Sequence, residues 1–139
     1  VFSYNPRQDL RHKLNTVGSY EIGGFTTTLS WEFNSGKPYT KVYGFDLAVD
    51  VPRQSPIDVP GIARVLFSEP YGERLPPYHR LDVSVEKTFD LSSNLSVDLQ
   101  VGVLNVYDRQ NIFYYDVNTL SRVNQTGRMP YVSLKTQIN

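Results

Sequence analysis

Residues Arg80–Tyr107 read RLDVSVEKTFDLSSNLSVDLQVGVLNVY. Leu81, Val83, Val85 and Phe89 fall on alternate positions, with Asp82, Ser84, Glu86 and Thr88 between them. After the polar turn Asp90–Asn94 the alternation resumes, with Leu95, Val97, Leu99, Val101 and Val103 set against Ser96, Asp98, Gln100 and Gly102. A period of two over this length means β-strand, with one apolar and one polar face. Five apolar residues on one face, over about 9–11 positions, match a tilted strand that crosses a bilayer in a barrel wall. A strand of a water-soluble sheet is nearer about 5–6 residues. The hairpin therefore reads as a membrane hairpin.

Working outward, three more strands emerge. From Arg11 to Ile22 a weaker alternation sets Leu14, Thr16, Gly18, Tyr20 and Ile22 against Asn15, Val17, Ser19 and Glu21. Gly23-Gly24 is the shortest hairpin connection, where positive φ is needed. Phe25, Thr27, Leu29, Trp31 and Phe33 then alternate with Thr26, Thr28, Ser30, Glu32 and Asn34. The last strand is Pro130–Asn139, with Val132, Leu134, Thr136 and Ile138 on one face. Between these lie Ser35–His79, rich in proline, and Asp108–Arg128; both read as long irregular loops. Ile112–Tyr115 is expected to extend the fourth strand beyond the membrane.

Turns that alternate short, long, short, long are the pattern of an outer-membrane barrel. They orient the sheet, with Gly23-Gly24 and Asp90–Asn94 on the periplasmic side and Ser35–His79 and Asp108–Arg128 outside. Phe25 and Phe89 then belong to an inner aromatic girdle, and Trp31, Phe33 and Tyr39 to the outer one. The phase turns Glu21, Glu32, Asp82, Glu86, Asp98 and Lys135 to the lumen. Only Lys87, near an inner turn, and His12, at the outer end, are turned to lipid. The expected fold is all-β, an antiparallel up-and-down meander of about five long strands spanning 1–139, a segment of a transmembrane β-barrel. Five strands cannot close such a barrel, since the smallest have eight. More wall is expected before Val1, where neither an apolar core nor a cleavage site of a secretory signal is found in Val1–Leu10.

Composition removes several classes. Net charge is zero, which gives no electrostatic case for nucleic acid. Cysteine is absent, so disulfides, thiol catalysis and thiolate metal sites drop out. No run of about 18 apolar residues offers a membrane helix.

Few residues suggest chemistry. His79, Asp82 and Ser84 resemble pieces of a hydrolase triad, but nothing Gly-rich flanks Ser84, and they read as wetted lumen residues. If Phe89 pairs with Leu95, Glu86 stands opposite Asp98, a like-charge pair of the kind catalytic carboxylates use. Lys135 on the neighbouring strand is expected to balance Asp98. His12 and His79 bring no carboxylate cluster, so no metal or cofactor is expected. The sequons at Asn94 and Asn124 read as chance matches. The best binding candidate is Ser35–His79, whose Tyr39, Tyr43, Phe45, Arg53, Arg64, Phe67 and Tyr71 mix aromatic and basic groups suited to polar or sugar-like ligands.

Five pieces in order carry a resemblance. They are Asp9–Leu14, Trp31–Thr40, Arg74–Val85, Val103–Asn111 and Pro130–Lys135. They are spread from Asp9 to Lys135, along nearly the whole chain, which resembles the C-terminal end of a TonB-dependent outer-membrane receptor, of Bacteroidota flavour. The resemblance implies a 22-stranded barrel in the outer membrane with an N-terminal plug; the plug and the TonB-contacting segment match nothing here and are expected upstream with the earlier strands. It implies TonB-powered import of a scarce ligand, such as an iron–siderophore complex, cobalamin or a glycan. Its partners would be outer-membrane lipid, the remaining barrel and plug, TonB and the imported ligand. The family ends on an aromatic residue, whereas this chain ends Ile138-Asn139, so the family's terminus is expected a residue or so further on. Two other readings remain at this stage: an outer-membrane barrel enzyme with a site at the lumen edge, and a soluble all-β binding module.

Overall fold

The structure, a computed structural model, describes residues 6, 8–48 and 62–138. Among them the strands are β1 (Lys13–Ile22), β2 (Phe25–Asn34), β3 (Pro38–Tyr39), β4 (Val42–Ala48), β5 (Ile62–Phe67) and β6 (Glu73–Arg74). They continue with β7 (Tyr78–Ser92), β8 (Leu95–Leu104), β9 (Ile112–Tyr115), β10 (Arg122–Asn124) and β11 (Met129–Ile138). One antiparallel sheet runs β1-β2-β7-β8-β11, in chain order, as an up-and-down meander. The five strands expected from the alternation are these five. Gly23 and Gly24, at φ 59° and 75°, close the first hairpin as its geometry demands.

Register carries the faces across the sheet, because directly paired residues point the same way. One row reads Tyr20–Thr27–Val85–Val101–Val132 and another Thr16–Trp31–Leu81. The rows between them read Ser19–Thr28–Ser84–Gly102–Tyr131 and Asn15–Glu32–Arg80. So one face is almost wholly apolar, and the other holds Glu21, Glu32, Asp82, Glu86, Asp98 and Lys135, as the phase required. Lys87 is the one Lys, Arg, Asp or Glu on the apolar face among the described residues. Its Nζ lies 4.3 Å from the centre of the Phe25 ring and 5.3 Å from that of Phe89. Trp31 and Phe33 stack with centres 6.0 Å apart at the opposite end of that face.

No described part of the chain covers the apolar face. Among the described residues no hydrophobic side chain is buried, and Val132, Leu134 and Ile138 are 70%, 65% and 83% exposed. The accessible surface is 10668 Å², whereas a globular chain of this mass exposes about 7,400 Å². Each large aliphatic left in water forgoes about 1.5–3 kcal/mol of burial. Among the described residues the sheet builds no hydrophobic core of its own.

Four expectations need correction. The hairpin turn is Ser93-Asn94, not Asp90–Asn94, and a bulge lies between Asp90 and Ser92. Phe89 consequently pairs with Val97, Glu86 faces Gln100, and Asp98 faces Thr88. A slip of two residues keeps every side chain on its face, which is why alternation alone could not detect it. The Glu86–Asp98 pair therefore does not form. Asp98 accepts from Thr88 Oγ1 at 2.7 Å and from Gln137 Nε2 at 3.0 Å, and Lys135 lies opposite it in register. Next, Ser35–His79 is not simply irregular: β4 pairs with β5, β3 with β6, and β7 already starts at Tyr78. Then, Ile112–Tyr115 does not prolong β8; it turns away and pairs with β10. Finally, Tyr39 belongs to β3, off the five-stranded sheet, and so to no girdle on its apolar face.

Candidate functional site

All the elaborate structure is gathered at one end of the sheet, and two polar knots hold it there. In the first, the Arg74 guanidinium donates to the Asp9 carbonyl at 3.2 Å and to the Gly36 carbonyl at 3.0 Å, and pairs with the Asp9 carboxylate. Leu75 N donates to the Lys37 carbonyl at 2.9 Å. The two sides of the first excursion thus meet just above β2 and β7. Gly36 sits so close to the Leu75 carbonyl that no side chain fits between them.

The second knot is built on asparagine. Asn105, 1% exposed, ends β8 at φ 53°, a left-handed conformation that Asn tolerates better than most residues. Its Oδ1 accepts from Arg109 N at 3.0 Å and its Nδ2 donates to the Arg109 carbonyl at 2.9 Å. Its own N–H reaches Asp82 Oδ1 at 2.9 Å, tying the turn to β7. Asn111, also buried, donates from Nδ2 to the His79 carbonyl at 2.9 Å and accepts Arg109 Nε at 3.1 Å. Buried side-chain amides are tolerated when fully bonded. Replacing Asn105 with Ala should destabilise the protein by about 2–4 kcal/mol, from two lost hydrogen bonds plus left-handed strain on a Cβ residue. Asn105→Gly, free of that strain, should recover about 1 kcal/mol of the loss. Urea unfolding midpoints of the two variants check this; equal midpoints would assign the whole effect to hydrogen bonding.

Between the knots opens a bowl of about 1180 Å³. Glu32, Asn34 and Tyr78 contribute from the polar face, Lys37–Val42 from the first excursion, and Ile112–Val117 from the second. Tyr39 and Tyr115, one from each excursion, stack with ring centres 5.2 Å apart and planes 23° apart. Burial, then the nearby Tyr115 and Glu73, push the Tyr39 phenol above its usual pKa, so it stays neutral across the physiological range. Asn34 Nδ2 donates to Glu32 Oε1 at 2.7 Å, while Asn34 Oδ1 is buried with no partner.

Of the described loop residues singled out by sequence, the structure brings Tyr39 alone to the bowl wall. Tyr43, Phe45, Arg64 and Phe67 belong to the β4–β5 ribbon, and none of them lines the bowl. Tyr43 is exposed near Lys41, whose Nζ is 5.5 Å from its ring centre. Arg64 pairs with Asp46 at 3.0 Å and, through that hydrogen bond, holds the Asp46 carboxyl below its ordinary range. Tyr71, at φ 54°, donates its N–H to Thr40 Oγ1 at 3.0 Å. Arg53 lies outside the described residues. The triad residues do not meet, because His79 shares the apolar face with Phe33 while Asp82 and Ser84 point the other way. Ser84 is buried rather than wetted, and its hydroxyl accepts from Gln100 Nε2 at 3.3 Å. Among the described residues no group of three His, Asp or Glu could hold a metal ion.

The reading by sequence missed Tyr115 and the clamps Arg74, Asn105 and Asn111 as site-forming residues. Only the Pro-Pro and Asn-rich turn signals beside the clamps hinted at them. Compared with protein-family models, curated proteins and solved structures, the chain gives no match.

Proposed function

We propose that this chain forms part of the wall of a TonB-dependent outer-membrane receptor, with its apolar face on lipid and its polar face on the lumen. The observation that carries the reading is the uncovered apolar face, spanning all five long strands. Hydrocarbon is the covering that asks for no complementary shape, and the face offers it no charge but Lys87, beside an aromatic pair. The connections agree, since Gly23-Gly24 and Ser93-Asn94 are tight while both excursions leave from the opposite end. Further strands would satisfy the open edges of β1 and β11, which lipid cannot. In this role the knots hold the excursions over the lumen mouth, where an imported ligand first meets the protein. TonB, acting through a plug, would supply the energy of uptake.

Because the chain contains no cysteine, single cysteines placed along β8 give a clean test. In the intact protein in vesicles, probes at residues 99 and 101 should be quenched by brominated lipid, and probes at 98 and 100 by a water-soluble quencher. A face sealed from both quenchers, packed against protein, would defeat the proposal and favour a soluble all-β module.

A further inference from the structure

The chemistry of the bowl narrows what the mouth would take. Among its described lining residues the formal charges cancel, Lys37 and Lys41 against Glu32 and Asp116. A site for an anionic metal chelate would show a cationic excess, because field complementarity selects charged ligands. This lining shows none, and it holds no cluster that would ligate a metal directly.

What it does hold is aromatic surface edged by neutral polar groups. Tyr39 and Tyr115, from two excursions far apart in sequence, stack on each other, and both line the bowl. Phe113 and Tyr114, packed edge to face with centres 5.4 Å apart, widen the apolar wall. Tyrosine combines a flat apolar body with a hydroxyl tip, so a ring with C–H groups on its face and hydroxyls around its edge fits both parts. Gln125 adds an amide group to the lining that can meet hydroxyls. At about 1180 Å³ the bowl exceeds the usual drug-sized pocket of about 300–1,000 Å³. A single small ring would leave most of it unfilled.

We infer that the bowl binds a neutral, polyhydroxylated ligand of several rings, an oligosaccharide, with the Tyr39–Tyr115 stack as the platform for one sugar ring. The inference rests on the uptake reading for its biological sense, but its binding test does not depend on that reading.

The test is calorimetric titration of the intact protein in detergent with maltohexaose, xylohexaose, mannohexaose and a fructo-oligosaccharide. Ferric citrate and a ferric tris-catecholate form the opposing arm. At least one oligosaccharide should bind, neither chelate should bind, and Tyr115→Ala should weaken binding about tenfold or more. Phe45→Ala, on the β4–β5 ribbon outside the bowl, should stay within about threefold of the parent. Tyr115 is a partly exposed residue of a short outer strand, so its truncation should leave the wall folded; circular dichroism of the variant checks that. Silence from all four sugars would overturn the inference. So would sugar binding indifferent to Tyr115→Ala, or a chelate that binds in a Tyr115-dependent way. Failure of the barrel reading would appear instead in the cysteine scan along β8, which touches none of these residues.

Discussion

In the barrel wall proposed here, Val101→Arg should destabilise the protein by about 2–4 kcal/mol, while Gln100→Arg, one residue away, should change stability by less than about 0.5 kcal/mol. Val101 lies in the row Tyr20–Thr27–Val85–Val101–Val132, well inside the apolar face, and is 50% exposed. If that face lies on lipid as proposed, a guanidinium there would lose hydration to hydrocarbon or drag water and headgroups inward, at a cost largest near the bilayer midplane. Gln100 points into the polar row with Glu86 and Ser133, where a cation meets carboxylate and water. The contrast is informative because neither substitution alters the backbone hydrogen bonds of β8. Reversible unfolding in vesicles, followed by tryptophan fluorescence from Trp31, measures both. Equal effects at the two positions would mean that the faces of β8 do not differ in solvent.

Gly36→Ala should cost about 3–5 kcal/mol, near the top of the range for single substitutions. A Cβ at residue 36 would overlap the Leu75 carbonyl oxygen and stand 2.6 Å from the carbonyl carbon. Both are backbone atoms, so no rotamer change can relieve the clash. Opening the gap would also strain the Leu75–Lys37 hydrogen bond and the Arg74 bond to the Gly36 carbonyl. Gly18 offers the control: nothing lies within 4 Å of a Cβ there, and alanine in mid-strand should be neutral or gain about 0.5–1 kcal/mol. Thermal unfolding of the two variants separates the outcomes. A Gly36→Ala protein as stable as the Gly18→Ala one would show that the first knot is dispensable.

The wall was legible in the sequence because a strand with unlike environments on its two sides must alternate. Phe25–Asn34 was bounded to the residue, and the other long strands to within a few residues at either end. Register was less legible. The two-residue turn and the one-residue bulge between Asp90 and Ser92 together shift the register by an even number, so the expected Glu86–Asp98 opposition looked sound and was two positions out. The site was least legible of all. Tyr39 stood out as an aromatic in a loop, but its companion Tyr115 lay in a run that could pass for a prolonged strand. Asn105 and Asn111 carry no periodic mark; what makes them important is burial and φ, which only tertiary structure assigns.

The Arg74 knot has a bearing on how the chain can change. Closing a flexible loop costs about (3/2)RT ln n, so an unpinned excursion would tax the β2–β7 pairing more as it lengthened. With Asp9, Gly36 and Arg74 drawn together at its base, the junction behaves as a short connection whatever hangs beyond it. Insertions and deletions past that clasp are therefore invisible to the register of the wall. The tip is free to diversify over generations while the scaffold beneath keeps its alignment.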